Sequence, residues 1–159
     1  MPRAKRSPRA SGPATRRVGR VAEVPVSPYA ARRLLLDTNA WLWWQANDRR
    51  LGRQARAGIA SASEVYLSAA SALEIAIKAS IGKLRVSHDP TLGAQLESNG
   101  FRELPVSIVH AEAVRGLPMR HADPFDRLLI AQARVEGLVL VTADALFEHY
   151  DVAVLDASN

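Results

Sequence analysis

Residues 33–41, Arg-Leu-Leu-Leu-Asp-Thr-Asn-Ala-Trp, decide the architecture of this chain. Leu34, Leu35 and Leu36 form an unbroken apolar run of the kind found in strands covered on both faces. Asp37, Thr38 and Asn39 end that run with helix-capping residue types, and Trp41 and Trp44, three apart, begin a helical period over 40–45. A buried strand that turns at once into a helix is the opening of a parallel α/β sheet. The alternation continues outward from this corner. Helices are predicted over 51–62, 70–81, 90–98, 108–115, 124–136 and 143–150, and strands over 65–67, 101–106, 138–141 and 152–155. Gly82, Gly100 and Gly137 fall where three of the helices must stop. No internal repeat is present, so the pattern implies a central, mostly parallel sheet with helices on both faces.

The chain is 159 residues long and 48% hydrophobic, enough for one core but not for two. Its formal charge of +5 is unevenly placed. Residues 1–33 hold nine Lys or Arg against one acid, Glu23, for a net of +8, whereas the remaining 126 hold twelve against fifteen, for a net of −3. Residues 1–31, rich in Arg, Ala, Pro and Ser and without a sustained period, read as a disordered basic arm, and 32–159 as the folded domain. The arm suits a non-specific RNA tether, a solubilising extension or mis-assigned start, or an acid-poor transit segment; the second reading is favoured. A mildly acidic body that meets RNA needs bridging cations, which favours a carboxylate metal site over a basic docking face.

There is no cysteine, which excludes disulfides, thiolate-bound zinc, iron–sulfur clusters and thiol nucleophiles. No uncharged apolar stretch approaches the roughly 18 residues of a membrane span. Arg16-Arg17 precedes charges and a proline, not an apolar segment, so export is not expected and a cytoplasmic location is.

In open parallel sheets ligands bind beyond the carboxyl ends of the strands, and the acids fall there. Asp37 directly follows the first strand, Asp144 follows the 138–141 strand, Glu74 lies early in the helix after the second strand, and Asp126 lies one turn into the helix opened by Asp123-Pro124. Asp37 and Asp144 could equally be plain N-caps, and Asp123 is read as one. Glu74 shares a helix stripe with Ala70, Ile77 and Ile81, so it is expected on an apolar face. The competing role for Glu74, an ion pair with Lys78, contributes only about 0.3–0.5 kcal/mol if exposed. At an effective dielectric near 20, two such charges about 4 Å apart repel by roughly 4 kcal/mol, so a cluster of four requires cations. All-oxygen ligation selects hard ions such as Mg²⁺ or Mn²⁺, which activate water against a phosphodiester.

The segments Leu-Leu-Leu-Asp-Thr-Asn-Ala (34–40), Ser-Ala-Leu-Glu-Ile (71–75), Asp-Pro-Phe-Asp-Arg-Leu-Leu-Ile-Ala-Gln-Ala (123–133) and Val-Thr-Ala-Asp (141–144), in this order, resemble a PIN domain, in particular the VapC-type toxins of bacterial toxin–antitoxin pairs. The resemblance runs from Leu34 to the C-terminal end and implies a PIN-like three-layer sandwich. It implies that Asp37, Glu74, Asp126 and Asp144 are the acidic quartet, that Asn39 and Thr142 orient it, and that Asp123 is an acid present in part of the family. It further implies a divalent-metal endoribonuclease acting on structured RNA such as tRNA or rRNA, commonly a homodimer, restrained by a cognate antitoxin. The arm is the departure, because the family's first aspartate usually lies within a few residues of the start.

The alternatives are a catalytically inactive PIN-like module that binds RNA or protein, and a phospho-receiver domain, which would need a second acid beside Asp37. Trp41, Trp43 and Trp44 are expected in core or dimer packing more than in base stacking. His88, His110, His121 and His149 show no metal-ligand spacing and are expected to be polar surface or core residues. Arg127 is expected to pair with Asp123 or steady a phosphate.

Overall fold

The computed structural model describes residues 32–159. The expected basic arm, 1–31, lies outside the described residues. Five strands, β1 (Arg33–Leu36), β2 (Glu64–Ser68), β3 (Arg102–Leu104), β4 (Val139–Thr142) and β5 (Val154–Asp156), form one sheet in the order β3-β2-β1-β4-β5. Every neighbouring pair is parallel, with Leu36 opposite both Leu67 and Val141. The helices are α1 (Thr38–Gln45), α2 (Arg53–Ser61), α3 (Ala69–Ser80), α4 (Leu92–Ser98), α5 (Ile108–Ala113) and α6 (Pro124–Glu136).

Alternation along the central strands sorts their side chains into two cores. Leu34, Leu36, Val65, Leu67 and Val141 join Trp41, Ile59, Ile75 and Leu96 in one layer. Leu35, Tyr66 and Leu140 join Leu129, Ile130 and Phe147 in the other. Helices thus cover both faces, and the leucines of β1 are fully buried. Truncating any one of them to alanine would cost about 2–5 kcal/mol.

Several boundaries differ from the expected ones. The segment expected as a helix over 143–150 is a 3₁₀ turn, Ala145–His149. The helix expected from residue 51 begins at Arg53, because Gly52 is its N-cap and the Asn159 carbonyl accepts from the Gln54 and Ala55 amides at 3.0 and 3.1 Å. A Cβ on Gly52 would lie 2.2 Å from that same carbonyl oxygen. Helix α6 stops as expected at Gly137, whose φ of 65° is the left-handed conformation that glycine adopts without strain.

From β1 the chain steps outward through β2 to β3, and later through β4 to β5 on the other side. The connections therefore diverge between β1 and β4, and it is beyond the carboxyl ends of such strands that open parallel sheets bind ligands.

Candidate active site

Asp37 lies at that divergence. Its backbone N–H continues the ladder to the Val141 carbonyl at 3.0 Å, while its side chain caps α1 by accepting the Ala40 amide at 2.6 Å. Only 6% of the residue is exposed. Burial pushes its carboxyl up to about 6, against the opposing hydrogen bonds from Ala40 and the Thr142 hydroxyl, and the charge of Glu74 pushes the same way as burial. Thr142 also accepts the Asp144 amide at 3.1 Å, so one hydroxyl at the end of β4 touches both aspartate positions.

Glu74 is half-buried on α3. Its Oε2 accepts the hydroxyl of buried Thr38, and its Oε1 faces Lys78 Nζ at 2.5 Å. The ion pair set against a functional role is thus present. The apolar stripe expected around Glu74 is buried only at Ala70: Ile77 and Ile81 are 43% and 59% exposed, and α3 turns Ser71 and Ile75 inward with Ala70. Helix α3 is apolar on nearly every side, so its periodicity did not single out the inward face.

Asp126 is in the first turn of α6, whose N-cap Asp123 accepts the Phe125 and Asp126 amides at 2.8 and 3.3 Å. Burial, followed by the charge of Asp123, raises the Asp126 carboxyl to about 7, with Asp37 and Glu74 adding to the rise and His121 opposing it. Asp144 caps the 3₁₀ turn through the Leu146 amide at 2.8 Å. Burial pushes its carboxyl up, but the Leu146 amide and His121 together outweigh burial and hold it below the usual range.

Asp126 and Asp144 are joined by a residue that the sequence pattern did not mark. His121 Nε2 lies 3.2 Å from Asp126 Oδ2 and 3.0 Å from Asp144 Oδ2. Among the described residues, these three are the one group of His, Asp or Glu side chains with ligand atoms all within 4.8 Å of one another. Asp37 and Glu74 lie alongside, coupled to Asp126 by charge, without entering that tight group. The only signal available beforehand was that His121 sits two residues before a capped helix that carries a candidate acid.

Arg127 corrects both of its expected roles. It pairs with neither Asp123 nor an open phosphate position: its buried guanidinium donates to the carbonyls of Val114, Leu117, Pro118 and His121 at 2.9–3.4 Å. Tyr150 Oη donates to the same Pro118 carbonyl. Together they fasten the segment that presents His121. Of the tryptophans, Trp41 is buried against Phe101, Trp44 donates to Asn99, and Trp43 lies under Arg50. The side chain of Asn39 is exposed and borders a cavity of about 1090 Å³ between α1, α3 and residues 84–95, while its backbone amide faces the Asp37 carboxylate.

The donor set is suited to a hard dication. Asp37, just past β1, and Glu74 on α3 are coupled by charge to Asp126 on α6, and two of the acids are pushed toward neutrality by burial and like charge, a strain that a bound cation would relieve. An α/β sheet whose divergent centre gathers acids from four separate segments defines a class of compact carboxylate-centred domains. The PIN-domain model matches residues 34–153, and the chain belongs to that family. It is 30% identical over 112 residues to Ribonuclease VapC22 of Mycobacterium tuberculosis (strain ATCC 25618 / H37Rv), covering 70% of this chain and 86% of that protein. It is similar to the structure of FitAcB from Neisseria gonorrhoeae, with a TM-score of 0.55, 25% identity, and coverage of 78% of this chain and 97% of that one. DNA-bound VapBC from Salmonella typhimurium shares the fold at a TM-score of 0.56 and 19% identity, over 79% of this chain and 98% of that one.

Proposed function

We propose that this chain is a divalent-metal-dependent endoribonuclease that hydrolyses phosphodiesters of structured RNA, with tRNA or rRNA as substrate, and that it is the toxin of a type II toxin–antitoxin pair. The observation that carries this reading is the charge coupling of Asp126 to Asp37, Glu74 and Asp123, together with its contact through His121 to Asp144. Asp37, Glu74, Asp126 and Asp144 would hold Mg²⁺ or Mn²⁺, with Asn39, Asp123 and Thr142 in support. A bound dication supplies the Lewis acidity that activates water and offsets charge on the phosphate. The chain's own residues prepare the place: the Ala40 amide and Thr142 hydroxyl aim the Asp37 carboxylate, and Thr38 and Lys78 hold the two oxygens of Glu74.

The name of the VapC22 relative supports the ribonuclease assignment. The VapC-type resemblance supports a cognate antitoxin and a homodimer, and the cavity bordered by Trp43, Ile75, Ala76 and Leu84 beside Asn39 offers an apolar surface for the antitoxin's tail. In this reading 1–31 is an appended basic arm on a 32–159 PIN domain that acts in the cytoplasm. No helix among the described residues is long and apolar enough to cross a membrane.

Incubation of the purified protein with total RNA tests the reading. Cleavage should require Mg²⁺ or Mn²⁺, stop with EDTA and be lost in Asp37→Asn. RNA binding without cleavage in any metal would select the inactive binding module instead.

A further inference from the structure

His121 is only 10% exposed at its side chain, and its ring packs edge-on against buried Phe147 at 5.7 Å between centroids. One ring nitrogen, Nδ1, accepts the Asp123 backbone amide at 3.2 Å. An imidazole nitrogen that accepts a hydrogen bond carries no proton, so in the neutral ring the proton is on Nε2, where it faces Asp126 Oδ2 and Asp144 Oδ2. Histidines that ligate metals are held the opposite way round: the outer N–H donates to an acceptor and the inner lone pair meets the ion. The ring is therefore set as a donor to Asp144 Oδ2, with Asp126 Oδ2 close to the same nitrogen. Asp144 has already committed Oδ1 to the Leu146 amide at 2.8 Å, so Oδ2 is its oxygen left for a cation, and His121 takes that oxygen.

We propose that His121 is a positioning residue whose Nε2–H holds Asp144 Oδ2 beside Asp126 and competes with a divalent cation for Asp144 Oδ2, so that this histidine sets the metal affinity of the site. The inference rests on the metal-site reading given above. Arg127 and Tyr150 hold the histidine's segment from behind, so the competition is local to the ring and the two carboxylates.

The test is titration of Mn²⁺ alone into the full chain at one fixed pH, followed by calorimetry and by the paramagnetic resonance of free Mn²⁺. His121→Ala should bind Mn²⁺ roughly tenfold more tightly, the scale of one charge-assisted hydrogen bond. His121→Gln, which keeps an N–H donor, should stay near wild type. The gain from His121→Ala should shrink in an Asp144→Asn background. If His121→Ala unfolds, His121→Leu keeps apolar packing against Phe147 without the donor and carries the same expectation. Weaker binding in the alanine variant would make His121 a ligand, and unchanged binding would make it a bystander; either overturns the proposal while leaving the metal site intact. Absence of Mn²⁺ binding in both wild type and variant would overturn the metal-site reading as well.

Discussion

Asp37 and Asp144 stand at the carboxyl ends of adjacent, paired strands, and each accepts a backbone amide at the start of the following helical turn. Their electrostatics are nevertheless opposite. Asp37 is buried at the start of α1 with the charge of Glu74 acting on it, and its carboxyl rises to about 6. Asp144, with its side chain 42% exposed and His121 beside it, is held below the ordinary carboxylate range. Capping chemistry is common to both, so the difference comes from burial and from the neighbour, the Glu74 carboxylate beside Asp37 and the His121 hydrogen bond at Asp144. The contrast also shows that capping and a role in the site are compatible, because a carboxylate has two oxygens and an N-cap uses one.

The strongest way to probe this contrast is to make the same substitution at both ends. Asp37→Asn and Asp144→Asn should each lower metal-dependent RNA cleavage by at least about 100-fold. Their stabilities in EDTA at pH 8 should move in opposite directions: up for Asp37→Asn, which removes an unfavourable buried charge, and down slightly for Asp144→Asn. Thermal denaturation reads the sign, and a fall in both would refute the contrast.

Next in size is the scaffold behind the exposed end. Arg127→Met removes the guanidinium from four carbonyls, of which Val114 and Pro118 keep another donor, and should cost about 3 kcal/mol in urea denaturation, with early proteolysis within 114–121.

The pH dependence follows from the two raised acids. Unfolded Asp37 and Asp126 lose their protons near 3.8, whereas in the fold they keep them to about 6 and about 7. The fold then binds more protons, so their contribution to stability falls as pH rises from about 4 and levels off above about 7. Asp144 works the other way: its contribution is present above 3.8 and is lost as pH drops through its depressed value. In EDTA the melting temperature should therefore decline by several degrees between pH 5 and pH 8. Mn²⁺ should raise it more at pH 8 than at pH 5, and equal shifts at both would count against a cation at these acids.

Smaller effects sharpen the picture. Thr142→Val removes the hydroxyl that serves both aspartate positions and should cost about 1 kcal/mol. Lys78→Gln, at a side chain 44% exposed, should change stability by less than about 0.5 kcal/mol.

The strand-to-helix corner at 33–41 was legible because three leucines followed by capping residues leave the backbone few alternatives. The order of the acids was legible because parallel strands all deliver their carboxyl ends to one edge. Glu74 is shielded as its stripe implied, but Ile77 and Ile81 are exposed, since a largely apolar helix does not announce its inward face. The places of His121 and Arg127 were hidden for a different reason. Neither has a spacing signal, because a loop residue meets an acid from another strand only after a buried guanidinium has folded the loop over it.

That guanidinium has a mechanical consequence. Arg127 is the next residue after Asp126, and it grips the stretch carrying His121, so those two side chains ride on one rigid body. Asp144 instead follows the fourth strand, two residues past its end. A shift of the sixth helix against the sheet would change the gap to Asp144 while leaving the His121–Asp126 spacing fixed, so that single gap is where such a motion would act on the acids.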